Sequence, residues 1–121
     1  MINTTMDKVL SAFGALNRVR NQVRGKTALD LFHLKNMLKE SVDFQVEEEQ
    51  KLIIECGGIV TDAGTIVIAD KDKRAAFAKA RQELADMACE IKTDPVLMDL
   101  EKNPDITMED IEQLDGFVIF K

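Results

Sequence analysis

The side chains of this chain that could do chemistry are one histidine, two cysteines, two short acidic runs, a glycine-rich loop and a cluster of basic residues. His33 stands beside Phe32 and Leu34, one step off an apolar stripe. A general base needs a partner to orient it and a nucleophile to serve, and the sequence nominates neither. Cys56 and Cys89 lie far apart with no metal-type spacing around them, so they read as free thiols of a reducing compartment. Glu47, Glu48 and Glu49 are consecutive, and on a helix they fan over about 200°, which suits a solvated face rather than a metal cluster. Asp70-Lys71-Asp72 has the outline of a metal or nucleotide-sugar DxD signature, but it also fits the cap of a helix, the reading preferred here. The expectation is therefore no catalytic residue, no metal site and no cofactor.

The stretch ECGGIVTDAGTIVIADKD, residues 55 to 72, holds Gly57, Gly58 and Gly64 within eight positions. A phosphate-gripping loop places its glycines between a strand and the start of a helix, usually with a lysine nearby. Here the paired glycines follow a helical pattern and precede β-branched runs, which is the reverse order. Gly57-Gly58 then ends a helix. Asp62-Ala63-Gly64 turns a hairpin between Ile59-Val60-Thr61 and Thr65-Ile66-Val67-Ile68, with Gly64 left-handed.

The basic cluster is the feature whose functional reading competes best. From Lys8 to Leu29 there are five basic residues and no acid, so this segment carries +5 and leaves −11 for the rest of a chain of net −6. Arg18, Arg20, Arg24 and Lys26 crowd the approach to a helix end. They balance the acidic helices, receive an anionic ligand or nucleic acid, or form a surface for a partner protein or a second copy of the chain.

Those residues have to be positioned by elements that the apolar pattern lays out. Met6, Val9, Leu10, Phe13, Leu16, Val19 and Val23 form one stripe of a first helix, capped at Thr4 or Thr5 and stopped near Arg24-Gly25 with Gly25 left-handed. Gly14 within it marks a close helix crossing. Thr27 to Asp30 has capping-box spacing, and an uninterrupted helix follows to Cys56. A third helix starts at Asp70 or Asp72 and carries a stripe through Phe77, Ala80, Leu84, Met87, Ala88 and Ile91. Asp94-Pro95 leads into an extended Val96-Leu97-Met98, and Asn103-Pro104 turns. Thr107 caps a short fourth helix with Asp110 as box partner and an Ile106–Ile111 staple. Phe117 to Phe120 is a terminal strand that needs a covered position.

Together these make one α+β, mainly helical domain over residues 1–121: a long helical hairpin, a third amphipathic helix, a small antiparallel β-hairpin and a C-terminal strand. At 45% hydrophobic and 31% charged residues it has the composition of an ordinary globule. No apolar run is long enough for a membrane span. The N-terminus lacks the basic and apolar regions of a secretory signal, so a cytoplasmic setting is expected. The chain has neither Trp nor Tyr, which weighs against base-stacking and against aromatic-anchored peptide reading.

ALNRVRNQVRGKTALDLFHLKNMLKE, followed by the acidic VEEEQKLI, a glycine-marked break and ITMEDIEQLDGFVIF, resembles a group of small proteins of unknown function. They are encoded by tailed phages and prophages of low-GC Gram-positive bacteria. The resemblance implies a non-enzymatic interaction protein that acts by stoichiometric binding to a phage or host macromolecule, in assembly, host takeover or counter-defence, within the host cytoplasm. A nucleotide- or nucleic-acid-binding module using residues 18–26 is the alternative. The charge asymmetry adds an expectation of self-association into a homo-oligomer.

Overall fold

A computed structural model describes all 121 residues. In chain order the elements are β1 (Ile2–Thr5), α1 (Met6–Val19), α2 (Gly25–Glu55), β2 (Ile59–Val60), β3 (Ile66–Val67), α3 (Lys71–Ala85), β4 (Ala88–Ile91), β5 (Val96–Met98), α4 (Met108–Gln113) and β6 (Val118–Phe120). The protein is a mainly helical α+β fold with three two-stranded sheets: β1 with β4 and β2 with β3, both antiparallel, and β5 with β6, parallel.

The centre is the α1–α2 hairpin. Val9, Ala12, Leu16 and Val19 of α1 recur every three or four residues and pack against Leu31, Leu34 and Leu38 of α2 in one buried cluster. Ile2 and Ile91 close that cluster from the β1–β4 sheet, and Met98, Leu114, Phe117 and Val118 close it from the C-terminal end. At 31 residues, α2 is about 46 Å long, and its second half runs beyond the main core. There it is covered by the β2–β3 hairpin and α3, whose buried Ile68, Phe77 and Leu84 lie outside the main cluster.

The glycine-rich stretch is a helix stop followed by a hairpin. Gly58 N–H donates to Ile53 C=O at 2.7 Å and Gly57 N–H to Ile54 C=O at 3.1 Å, with Gly57 at φ +67°. This is the paired Schellman pattern, which satisfies carbonyls that the end of α2 would otherwise strand. Gly64, at φ +80°, turns the hairpin, and Gly64 N–H and Thr61 N–H donate to Thr61 C=O and Thr65 C=O. α4 carries the expected capping box: Asp110 N–H donates to Thr107 Oγ1, and Thr107 N–H to the Asp110 carboxylate.

Four sequence expectations need correction. α1 stops at Val19 rather than near Arg24: the chain turns through residues 20–22, where Gln22 N–H donates to Val19 C=O at 2.8 Å, and Val23 still reaches the core from beyond the turn. Gly25 is left-handed, φ +61°, but it opens α2 instead of closing α1, so Thr27 is already inside the helix and Asp30 accepts from the Lys26 ammonium, not from a capping box. Gly14 marks no close crossing, since a Cβ there would meet only the Arg18 guanidinium at 3.8 Å. α3 ends at Ala85, and the continuation of its supposed stripe is β4, which pairs with the unanticipated strand Ile2–Thr5. Val118 to Phe120 lies beside β5, in parallel, with α4 forming part of the crossover that parallel pairing requires.

The loop glycines differ in what a side chain would cost. Gly64→Ala meets open space and only forces a left-handed alanine, so it should cost about 1 kcal/mol. At Gly58 the φ is ordinary, but a Cβ would sit 3.0 Å from Ile53 Cγ2 and 3.2 Å from the Ile53 carbonyl. Gly58→Ala should therefore cost more, roughly 1–3 kcal/mol, by breaking the end of α2. Denaturant melts of the two variants check this, and equal losses would contradict it.

Candidate functional site

The four basic residues expected to form one face do not act together. Arg18 lies across from α4, where its guanidinium donates to Asp110 Oδ1 at 3.5 Å and to Gln113 Oε1. Asp110 is buried, and half of the Arg18 side chain is covered as well. Arg18 is therefore a tie between α1 and α4. Lys26 is spent on Asp30 at 2.9 Å, one turn along α2. Arg20 and Arg24 hold no ion pair or hydrogen bond through their side chains, and both are exposed in the turn joining the two helices.

That turn encloses a cleft of about 340 Å³. Its floor is Leu16, Val23 and Leu31, all buried members of the core. Its rim is Arg20 from the end of α1, with Phe32 and Lys35 from α2. Phe32 and Lys35 are three positions apart, so both stand on the same flank of α2, the one that looks back toward Arg20. Phe32 is 55% exposed. The Lys35 ammonium lies 5.5 Å from the Phe13 ring centroid, where the face of the ring helps fix it. No carboxylate lines the cleft. An apolar floor with two cationic rim groups and no acid is chemically complementary to a group that is apolar in body and anionic at one end. Of the charged lining residues, Arg20 belongs to the basic cluster singled out in the sequence. Phe32 and Lys35 lie outside that cluster, and the sequence signal for their place on the rim is their position on the flank just beside the Leu31–Leu34–Leu38 stripe.

Among the remaining sequence candidates, Asp70, Glu48 and Glu49 hold specific partners. Asp70 caps α3, its carboxylate accepting from the backbone N–H groups of Lys73 and Asp72 at 3.0 and 2.9 Å. Those bonds, that from Lys73 foremost, hold its carboxyl below the ordinary value. The stability this adds is present above about pH 4 and is lost as pH falls through the lowered folded-state value. Glu49 is not merely solvated: it accepts from Gln45 at 2.7 Å and pairs with Arg81 of α3 at 3.3 Å, while the Arg81 guanidinium also lies over Phe77. Glu48 pairs with Lys51. Cys56 sits at the end of α2 and Cys89 in β4, both free, and burial pushes the Cys89 thiol up. His33 is exposed beside Phe32. Nowhere do three His, Cys, Asp or Glu side chains converge.

Arg18 and its neighbours should separate in a stability measurement. Arg18→Ser leaves the buried Asp110 carboxylate with one partner fewer and should cost roughly 1–2 kcal/mol. Arg20→Ser and Arg24→Ser remove unpaired surface charge and should stay within about 0.5 kcal/mol of wild type. Chemical denaturation of the three single variants reads the difference. Compared with protein-family models, with curated proteins and with solved structures, the chain gives no match.

Proposed function

We propose that this chain is a non-catalytic binding protein that docks an acidic, partly apolar segment of a partner macromolecule in the cleft between α1 and α2. The observation that carries the reading is the cleft itself, an apolar floor rimmed by Arg20 and Lys35 with no carboxylate on its wall. Charges in such a place steer an oppositely charged partner and fix its register, while the apolar floor supplies affinity. The two walls belong to the best-packed helices of the protein, so the cleft is preformed and little ordering is needed on binding. Stoichiometric binding to a phage or host macromolecule, in the cytoplasm of a Gram-positive host, is the role that the phage resemblance suggests for such a site. No helix is long and apolar enough to cross a membrane.

One observation favours the nucleotide or nucleic-acid alternative. Phe32 is an exposed ring on the same rim as two cations, a combination on which a base can stack. A single ring makes a small platform, and the acidic remainder of the chain opposes a polyanion, so the protein segment is preferred.

The test is a pull-down from host lysate, identification of the captured partner by mass spectrometry, and titration with that partner purified. Arg20→Ser/Lys35→Ser should melt within a few degrees of wild type and lose about tenfold or more in affinity. Raising salt from 50 to 200 mM should weaken a protein segment only modestly. A loss of several orders of magnitude would transfer the site to nucleic acid. Unchanged capture by the double variant would overturn both.

A further inference from the structure

The β1–β4 sheet stops at β4 with one edge open. Register pairs Ile2 with Ile91, Asn3 with Glu90, Thr4 with Cys89 and Thr5 with Ala88, and Met6 N–H donates to Met87 C=O at 2.9 Å as the next step of the ladder. Bonded pairs alternate in an antiparallel ladder. Met87, Cys89 and Ile91 therefore turn their backbone groups toward β1, and Ala88 and Glu90 turn theirs outward. Outside that ladder no hydrogen bond in the chain reaches the backbone of Ala88 or Glu90.

The open edge borders a groove of about 450 Å³. Six consecutive residues, Met87 to Lys92, line it. A strand that showed the groove only a face would contribute alternate residues, so the edge itself is on display. The opposite wall is the far flank of α2, where Met37 and Phe44 are 42% and 43% exposed, and Met87 stands at the end of β4, 41% exposed.

We infer that this edge is a self-association strand, on which a second copy of the chain lays its own β4 antiparallel about a two-fold axis. The outward groups of Ala88 and Glu90 have to bond among themselves, which leaves three central registers. An axis through Ala88 brings Glu90 toward Asp86 of the second copy, the residue that closes α3 just before the strand, and an axis through Glu90 sets Glu90 against itself. Both place acid against acid, which destabilises a cross-strand pair. An axis through Cys89 pairs Ala88 with Glu90 of the second copy, Met87 with its Ile91, and brings Lys92 to its Asp86, with each contact made twice. Lys92 has no ion-pair partner within the chain, and Asp86 accepts only from Gln82. The second copy's Met87 and Ile91 then lie over Met37 and Phe44, and the two short sheets become one of four strands. Isologous pairing of this kind uses one surface twice and closes.

The register makes Cys89 a reporter. Two Cys89 residues facing each other as a non-bonded pair have Cα atoms about 4.5 Å apart, within the reach of a disulfide. In a Cys56→Ser background at about 200 μM, light scattering should give twice the 13.6 kDa of the chain. Diamide, taking two electrons and two protons from the paired thiols, should then trap a Cys89-linked dimer. Lys92→Asp should raise the dimer dissociation constant about tenfold, and Asp86→Lys/Lys92→Asp should recover it. A monomer at this concentration overturns the inference. So does a dimer that resists diamide and ignores the charge changes, since its interface would lie elsewhere. The cleft between α1 and α2 takes no part, so neither result bears on it.

Discussion

The contact between α1 and the first half of α2 is the constraint on which the rest of this structure depends. Leu31, Leu34 and Leu38 span only two turns, yet they receive most of the α1 stripe and hold a helix more than twice that long. A helix that outruns its core must find cover or be polar, because an apolar stripe left in water forfeits about 25 cal/mol for each Å². Here both solutions operate. Glu47, Lys51 and Glu55 face water, while Leu52 and Ile53 are half covered beside the hairpin and α3. The Arg81–Glu49 pair ties α3 onto the overhang at a point where the side chains are partly out of water. Placement of the hairpin then follows from the stop of α2, since the Schellman bonds at Gly57 and Gly58 aim the chain back toward Ile53.

What was legible in the sequence was local. The Schellman stop, the Gly64 hairpin, the Asp70 cap and the Thr107–Asp110 box each involve residues within five positions of one another, and residue type alone implies the geometry. The long helix was legible because nothing between Lys26 and Cys56 interrupts it. What was hidden depends on partners far along the chain. Ile2 to Thr5 is a strand only because Ala88 to Ile91 lies beside it, some 85 residues later, and neither run alternates clearly enough to announce itself. Leu84, Met87, Ala88 and Ile91 satisfy a helical spacing as well as a strand, and the tertiary partner decided against the helix.

The basic segment shows the same division. Its charge was plain from the residues, but charge is not direction. Arg18 and Arg20 are two positions apart, about 200° around a helix, so one faces α4 and the other the cleft. Arg18 serves a buried carboxylate on a helix too short to be obvious as its partner. Lys35, outside the basic segment, completes the rim because α2 folds back along α1. A cluster defined along the chain was thus replaced by one defined across a turn, sharing only Arg20.

The helix α2 also keeps the two proposed surfaces apart. Phe32 faces the cleft and Phe44 faces the groove at β4, twelve positions further along the helix. At 3.6 residues per turn that is a rotation of about 120°, together with a rise of about 18 Å. The intervening outer face carries Asn36 and Asp43, which are exposed and polar. The opposite side of α2 is filled by the core. Neither surface can therefore be occupied at the expense of the other through direct contact. A pair of chains joined along β4 would present two clefts, and a partner with two acidic segments would bind such a pair with the gain that effective concentration brings. In that arrangement the stretch of α2 from Phe32 to Phe44, held by the core on its inner side, separates a surface for the second copy from a surface for the partner.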